Sequence, residues 1–343
     1  MQTATVGVLG RAAEIPAGGE VYFISESAVR YYRAASGRTI NVHVNLPQAM
    51  AATDWRAVGI LDTFAPAVDS SPTHLLLAVT ELTVSGTVPS QTVWLLGTDG
   101  EFVRRIPNAF DAAFLGRGRE EARVIWLAGL GGDGGVMAHV APAFQSSGAA
   151  VLQASVSAAA VGVERVLGSP ANNAQLALYW GSGLAGGPLR LAASASANGK
   201  GVGPSGEAAV ALPLCGSPEL VDAQWDGCRQ DGPWCLALAT ANAIWVIRFM
   251  VGSGGGGVPR VELHAWLELR AAVAGAGRAL SLAWMRAVGA GRGNNGPSGA
   301  VSLGMLLVST PSSVLAWLVC TGRRPLTLAL CERPQLLAGA LLD

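Results

Sequence analysis

Short apolar runs alternate along this chain with glycine-rich or polar turns, and the spacing predicts strands in nearly every stretch. Residues 93–106, VWLLGTDGEFVRRI, show the unit most clearly. A run of Val93-Trp94-Leu95-Leu96 meets Asp99-Gly100, and a second run closes on Ile106. Asp-Gly between β-prone runs predicts a hairpin whose two turn residues both take positive φ. Residues 20–44 repeat the arrangement: VYFIS, a polar break at SESA, then a hairpin turning at Ser36-Gly37. Its last arm alternates, with Ile40, Val42 and Val44 on one side and Asn41, His43 and Asn45 on the other. Residues 56–106 predict four strands in sequence, an antiparallel meander.

The remainder continues the theme. Residues 112–140 read as strand, glycine turn and strand. Residues 175–193 do the same, while 150–173 resist placement and 194–206 read as a small-residue loop before a possible strand at 208–214. Residues 219–269 form a second clear unit of four strands, ELVDAQW, WCLALAT, AIWVIRFM and VELHAWLEL. Nine strictly alternating residues in the last favour a strand with Val261, Leu263, Ala265, Leu267 and Leu269 on one face. Residues 280–330 predict LSLAWMR, VSLGMLLVST, SVLAWLV and PLTLAL as strands, with the tail completing a neighbouring element. A short helix is expected only at 271–282. Residues 299–322 are long enough to span a bilayer, but the turn cluster Ser309-Thr310-Pro311-Ser312-Ser313 lies at their centre, so they read as two strands. Residues 234–251 pose the same question and are broken by Thr240 and Asn242.

Units of this size, repeated along a chain, mark radial or solenoid architectures, in which each meander buries its faces against its neighbours. The third-strand and turn patterns at residues 29–40, 93–106, 244–251 and 314–330 resemble the WD-repeat β-propeller family over most of the chain. The family's Trp-Asp dipeptide is absent from those strands: Leu95 follows Trp94, Val246 follows Trp245, and Trp225-Asp226 lies on an earlier strand. The polar network of a regular blade is therefore not expected. The resemblance implies an all-β fold, one divergent propeller domain over residues 1–343 with about six or seven four-stranded blades. Blade assignment is ambiguous at 141–173 and 194–218. A β-sandwich or two smaller β domains is the competing arrangement.

Composition narrows the function. The 343 residues carry 23 basic and 23 acidic side chains, a formal net charge of zero. There is no global attraction to nucleic acid or membrane surfaces. Charged residues are 13%, about half the usual share, so disorder is not expected despite 45 glycines. Lys200 is the only lysine. Cys215, Cys228, Cys235, Cys320 and Cys331 form no Cys-x-x-Cys pair, unlike a disulfide or zinc framework; Cys228 and Cys235, seven apart, could flank a hairpin and read as two buried free thiols. No secretory leader is evident at the N-terminus, which makes an intracellular location, cytoplasmic or nuclear, the default.

Candidate chemistry is thin. Gly129, Gly131 and Gly134 match a dinucleotide fingerprint, but no helix start follows and no acidic residue lies about twenty positions on, so a hairpin turn is the reading. The loop at 252–257, GSGGGG, lacks the lysine and hydroxyl of a phosphate loop. His43, His74, His139 and His264 lie in or beside strands without metal-ligand spacing. Asp62, Asp111 and Asp133 are expected in or near loops, with no two paired. Arg104-Arg105, Arg117 with Arg119, and Arg323-Arg324 read as solvated basic pairs. Ten tryptophans, mostly on strands, read as packing between sheets. No catalytic, cofactor or metal residue is assigned, and partner-binding residues stay unknown. The resemblance implies a non-catalytic scaffold holding other proteins of a larger assembly, without cofactor or membrane span. The alternatives are a propeller enzyme or carbohydrate-binding module, and a nucleic-acid-associated subunit.

Overall fold

The structure is a computed structural model and describes residues 20–33, 36–66, 72–82, 90–116, 118–120, 122–129, 136–144, 152–154, 163–169, 175–181, 190–194, 209–211, 219–225, 234–250, 260–269, 278–286, 303–310, 314–320 and 335–338. Among them the protein is all-β apart from one 3-10 turn at Gln48–Met50. The first sheet holds β1 (Glu20–Ser25), β2 (Ala28–Arg33) and β3 (Arg38–Asn41). The second holds β4 (Asp54–Phe64), β5 (His74–Leu82), β6 (Ser90–Gly97) and β7 (Phe102–Pro107). The third holds β8 (Ala109–Leu115), β9 (Arg123–Gly129), β10 (Val136–Pro142) and β11 (Leu152–Ala154). The fourth follows with β12 (Arg165–Gly168), β13 (Gln175–Trp180), β14 (Arg190–Ser194) and β15 (Ala209–Ala211). The fifth has β16 (Asp222–Trp225), β17 (Trp234–Ala239), β18 (Ala243–Met250) and β19 (Arg260–Glu268). The last has β20 (Ser281–Arg286), β21 (Leu303–Ser309), β22 (Val314–Cys320) and β23 (Gln335–Ala338). Each sheet is a meander in chain order. The chain divides into two compact units, Met1–Leu184 with Leu191–Ala209, and Ala185–Arg190 with Val210–Asp343.

Why the runs HLLLAV and VWLL are apolar without a break becomes clear from the cores. In the second sheet Leu75, Leu77, Trp94 and Leu96 pack on one side with Tyr22 and Val29 of the first sheet. Leu76, Val93 and Leu95 pack on the other side with Ala112, Phe114 and Trp126 of the third. A strand buried on both faces needs apolar residues at every position, whereas a half-buried strand alternates. Ala113, Ile125 and Leu127 of the third sheet meet Val163, Val166 and Ala177 in the same way. In the second unit, Ile244 and Val246 meet Leu282, Trp284 and Trp317. First strands lie beside first strands of the next sheet: β4 beside β8, β8 beside β12, and β16 beside β20.

Several expectations hold. The stretch 299–322 forms β21 and β22, paired from Leu303↔Cys320 to Ser309↔Val314, and 234–251 forms β17 and β18. Gly129 ends β9 opposite Val136 of the antiparallel partner β10; Gly131 and Gly134 lie outside the described residues. The unplaced stretch 150–173 contributes β11 and β12.

Others change. At Asp99-Gly100 only Gly100 has positive φ, +91°. The Gly100 amide donates to the Gly97 carbonyl at 2.9 Å and the Gly97 amide to the Glu101 carbonyl at 2.8 Å. This is a turn closed by a glycine bulge rather than a two-residue turn. The constraint on Gly100 comes equally from above: a Cβ there would stand 1.9 Å from the His43 carbonyl oxygen. The expected helix at 271–282 yields Ser281 and Leu282 to β20, where they pair with Ser309 and Val308; 271–277 lie outside the described residues. The fourth strand of the last sheet is Gln335–Ala338, in the tail, and PLTLAL lies outside the described residues. In β19 the alternation breaks. Ala265 and Leu263 oppose the adjacent residues Val246 and Ile247, so His264 is an extra residue in the ladder. The bulge turns Leu263 outward, 46% exposed, while Leu269 remains buried.

Candidate functional site

Two polar arrangements stand out, and both come from residues on strands. The first lies on one face of the second sheet. Glu81 is the penultimate residue of β5 and is 3% exposed. Its Oε1 accepts from Trp94 Nε1 at 2.8 Å, Thr92 Oγ1 at 3.0 Å and Arg105 Nε at 2.7 Å. Its Oε2 pairs with Arg105 Nη2. Trp94 and Arg105 are opposed across β6 and β7, and Trp94 and Thr92 are two residues apart on β6, so the period of a strand puts all four on one face. Burial pulls the Glu81 carboxyl upward, but the hydrogen bonds from Arg105, Trp94 and Thr92 outweigh it and hold its pKa below the ordinary 4.5. The same contact raises Arg105. Thus Trp94, which is followed by Leu95, donates its indole N–H to a glutamate from the preceding strand.

The sign of the pH effect follows. A carboxyl with a depressed native pKa stabilises the fold above its unfolded pKa, and that contribution is lost as pH falls through the native value. The stability difference between wild type and Glu81→Gln should be largest near neutrality and shrink below about pH 4. Urea unfolding of both chains between pH 7 and pH 3 checks this; a pH-independent difference would refute it.

The second arrangement is a series of aspartates on first strands. Asp62 Oδ2 accepts from the Phe114 amide of β8 at 2.8 Å, and its Oδ1 accepts from the Thr63 amide at 2.8 Å. Asp111 Oδ2 accepts from the Val166 amide of β12 at 2.7 Å, with Arg165 Nε at 3.7 Å. Asp222 Oδ2 accepts from the Leu282 amide of β20 at 2.8 Å, and its Oδ1 from the Ala223 amide at 2.8 Å. Each carboxylate ties its strand to the first strand of the next sheet. Bulges between Ile60 and Asp62 and between Ala109 and Asp111 re-aim the first two toward that neighbour. Asp111 stands three residues before Phe114. Counting three back from Val166 and Leu282 reaches Val163 and Ala279, both buried, so apolar residues stand at the corresponding place just before β12 and β20.

Asp62 and Asp111, expected in or near loops, lie on strands with structural partners; Asp133 lies outside the described residues. Asp222 lies within the expected strand ELVDAQW and is not among the candidate carboxylates read from the sequence. The signal available was the triplet of an apolar residue, aspartate and a small residue, Leu61-Asp62-Thr63, Phe110-Asp111-Ala112 and Val221-Asp222-Ala223, at the start of a unit.

The histidines scatter. His43 is exposed. His74 sits 4.4 Å from the Phe144 ring and 6.2 Å from Phe64, with Nδ1 3.0 Å from Thr73 Oγ1. Burial and then the Arg119 charge lower its pKa, against a smaller upward pull from Asp99. His139 stacks on Trp126 at 5.2 Å, and burial lowers its pKa too. His264 is the extra residue of β19. Among the described residues no group of three His, Cys, Asp or Glu side chains is placed to hold a metal. The basic pairs separate: Arg105 goes to Glu81, Arg104 Nη1 donates to the Pro142 carbonyl at 3.1 Å, and Arg119 lies over the Phe144 ring at 5.8 Å. Arg117, Arg323 and Arg324 lie outside the described residues. Cys235 is buried in the core of the fifth and sixth sheets. No described helix is long and apolar enough to cross a membrane.

No protein-family model and no curated protein sequence matches the chain. Among solved structures, a chain of the mitotic checkpoint complex is similar at 10% identity and a TM-score of 0.48, covering 95% of this chain and 83% of that one. The structure of U3-55K is similar at 11% identity and a TM-score of 0.46, covering 93% and 82%. Hydrazine synthase of Kuenenia stuttgartiensis is similar at 9% identity and a TM-score of 0.43, covering 90% and 94%. At such identities and scores these likenesses do not assign a function.

Proposed function

We propose that the chain, residues 1–343, is one divergent WD-repeat-like β-propeller that serves as a non-catalytic, intracellular scaffold for other proteins of a larger assembly. One observation carries the reading: the buried and half-buried carboxylates of Asp62, Asp111, Asp222 and Glu81 are engaged by the protein's own donors. Asp62, Asp111 and Asp222 each bond a backbone amide of the neighbouring sheet, and Glu81 is enclosed by Trp94, Thr92 and Arg105. A general acid, base or nucleophile needs a carboxylate facing a substrate with its proton affinity set for transfer. The aspartates face the protein's own amides, and Glu81 faces its own indole, hydroxyl and guanidinium groups. Such ties make a rigid frame, and rigid frames present binding residues at low entropic cost. Trp266 on β19, 55% exposed, is the type of side chain that anchors a partner.

Affinity purification of the tagged full chain from its native cell, followed by size-exclusion chromatography, tests this. A fixed set of co-eluting proteins in stoichiometric amount is expected. A lone monomer would overturn the scaffold reading.

A further inference from the structure

The first sheet has three strands among the described residues, and each of the other five has four. Its order ends at β3, a strand whose four residues are all exposed. The ladder to β2 shows which backbone groups are open. The Val42 amide donates to the Val29 carbonyl at 2.9 Å. Antiparallel bonding alternates, so Tyr31↔Ile40 and Arg33↔Arg38 are the bonded pairs, and the amides and carbonyls of Thr39 and Asn41 point outward. The core face of this sheet runs through Tyr22, Val29, Tyr31 and Val42 and continues onto Ile40, which is still 36% exposed. An additional strand would cover it.

Charge says what kind of strand. Residues 28–41 contain Arg30, Arg33 and Arg38 and no acidic residue. Arg30 pairs with Glu26 at 2.8 Å. Arg33 has Glu20 opposite it on β1. Arg38 stands directly across from Arg33, a like-charge cross-strand pair, and no ion pair of Arg38 occurs among the described residues. A second copy of this chain adding the same edge would bring its own arginines against these. An acidic strand would relieve the repulsion.

We propose that the open edge of β3 takes an extended acidic segment of a partner protein by strand addition. Its backbone pairs with Thr39 and Asn41, an apolar side chain covers Ile40, and a carboxylate meets Arg38. Main-chain bonds supply affinity in this mode, and alternate side chains supply choice. The proposal rests on the scaffold reading and names one of its docking edges.

The probe is a labelled heptapeptide, Thr-Glu-Thr-Val-Thr-Glu-Thr, which sets Val and Glu two residues apart on one strand face as Ile40 and Arg38 are; it is titrated into the full chain by fluorescence anisotropy, with amide hydrogen exchange read at Thr39 and Asn41. Saturable binding is expected, with both amides becoming protected only when peptide is present. Arg38→Glu should weaken binding at least about tenfold. Thr39→Pro, which removes an outward amide and leaves the inner ladder bonds, should do the same. Unchanged near-ultraviolet circular dichroism establishes that both variants are folded. Equal binding of the same peptide with Lys in place of Glu, or of the Glu peptide by both variants, would overturn the proposal. So would protection of Thr39 and Asn41 in the free protein, which would mean that the chain itself or a second copy fills the edge. Binding of an oligothymidine without protection of these amides would assign the arginines to nucleic acid instead. If Arg38→Glu keeps the full set of co-purified proteins and the peptide fails to bind, the edge proposal falls while the scaffold reading stands.

Discussion

Trp94→Ala should destabilise the protein by about 3–5 kcal/mol, the usual cost of emptying a large aromatic site in a core. Trp94 is fully buried. Its ring lies 4.8 Å from that of Trp55 and 5.3 Å from that of Phe102, in the cluster that joins the first two sheets. Alanine would leave a cavity there and also remove one donor from the buried Glu81 carboxylate. Domains are commonly stable by only about 5–15 kcal/mol, so this single change takes a large share. Trp94→Phe separates the two losses. It keeps most of the ring but gives up the indole N–H, and should cost less, about 1–2 kcal/mol beyond repacking. Urea unfolding of the three chains measures both. If Trp94→Ala costs under about 1 kcal/mol, the site collapses freely and the packing argument is wrong.

The second large effect is expected at the aspartate ties. Asp111→Ala would leave the buried Val166 amide without its acceptor, a loss of about 1–3 kcal/mol before any cavity is counted. Asp111→Asn retains an oxygen for that amide and should lose less. Asp222→Ala should behave alike through the Leu282 amide. Asp99→Ala is the control, because Asp99 is exposed and accepts from the nearby Glu101 amide at 3.0 Å; it should change stability by about 0.5 kcal/mol or less. Hydrogen exchange at Val166 and Leu282 gives a local readout. Each amide should lose protection in its own variant, and retained protection in Asp111→Ala would show that β8 and β12 are held together without the carboxylate.

Strand identity was legible along most of the chain, for local reasons. Alternation in residues 40–45, unbroken apolar runs in HLLLAV and VWLL, and glycine between them are properties of consecutive residues, and so is the turn cluster that divides 299–322. Burial on both faces writes itself into every position of a strand. The exceptions are also physical. The bulge at His264 inverts the alternation of β19 without any change in composition. Ser281 and Leu282 fall within both the helix expected at 271–282 and the strand LSLAWMR, and pairing with Ser309 and Val308 decides for the strand. At Asp99-Gly100 the dipeptide marks the turn, but the Gly97 and Glu101 hydrogen bonds choose its type.

Side-chain roles divide along the same line. By itself the sequence determined a chain of short antiparallel strands with neutral charge, apolar enough to bury meanders on both sides, and without a recognisable constellation for catalysis. Tertiary structure decided what the polar residues do. Asp62 and Phe114 are 52 positions apart, Asp111 and Val166 are 55, and Asp222 and Leu282 are 60. A carboxylate looks the same in a sequence whether it meets a substrate, solvent or the amide of the next sheet. Only the folded arrangement of sheets supplies the partner, because the hydrogen bond depends on a distance in space that local preference does not encode.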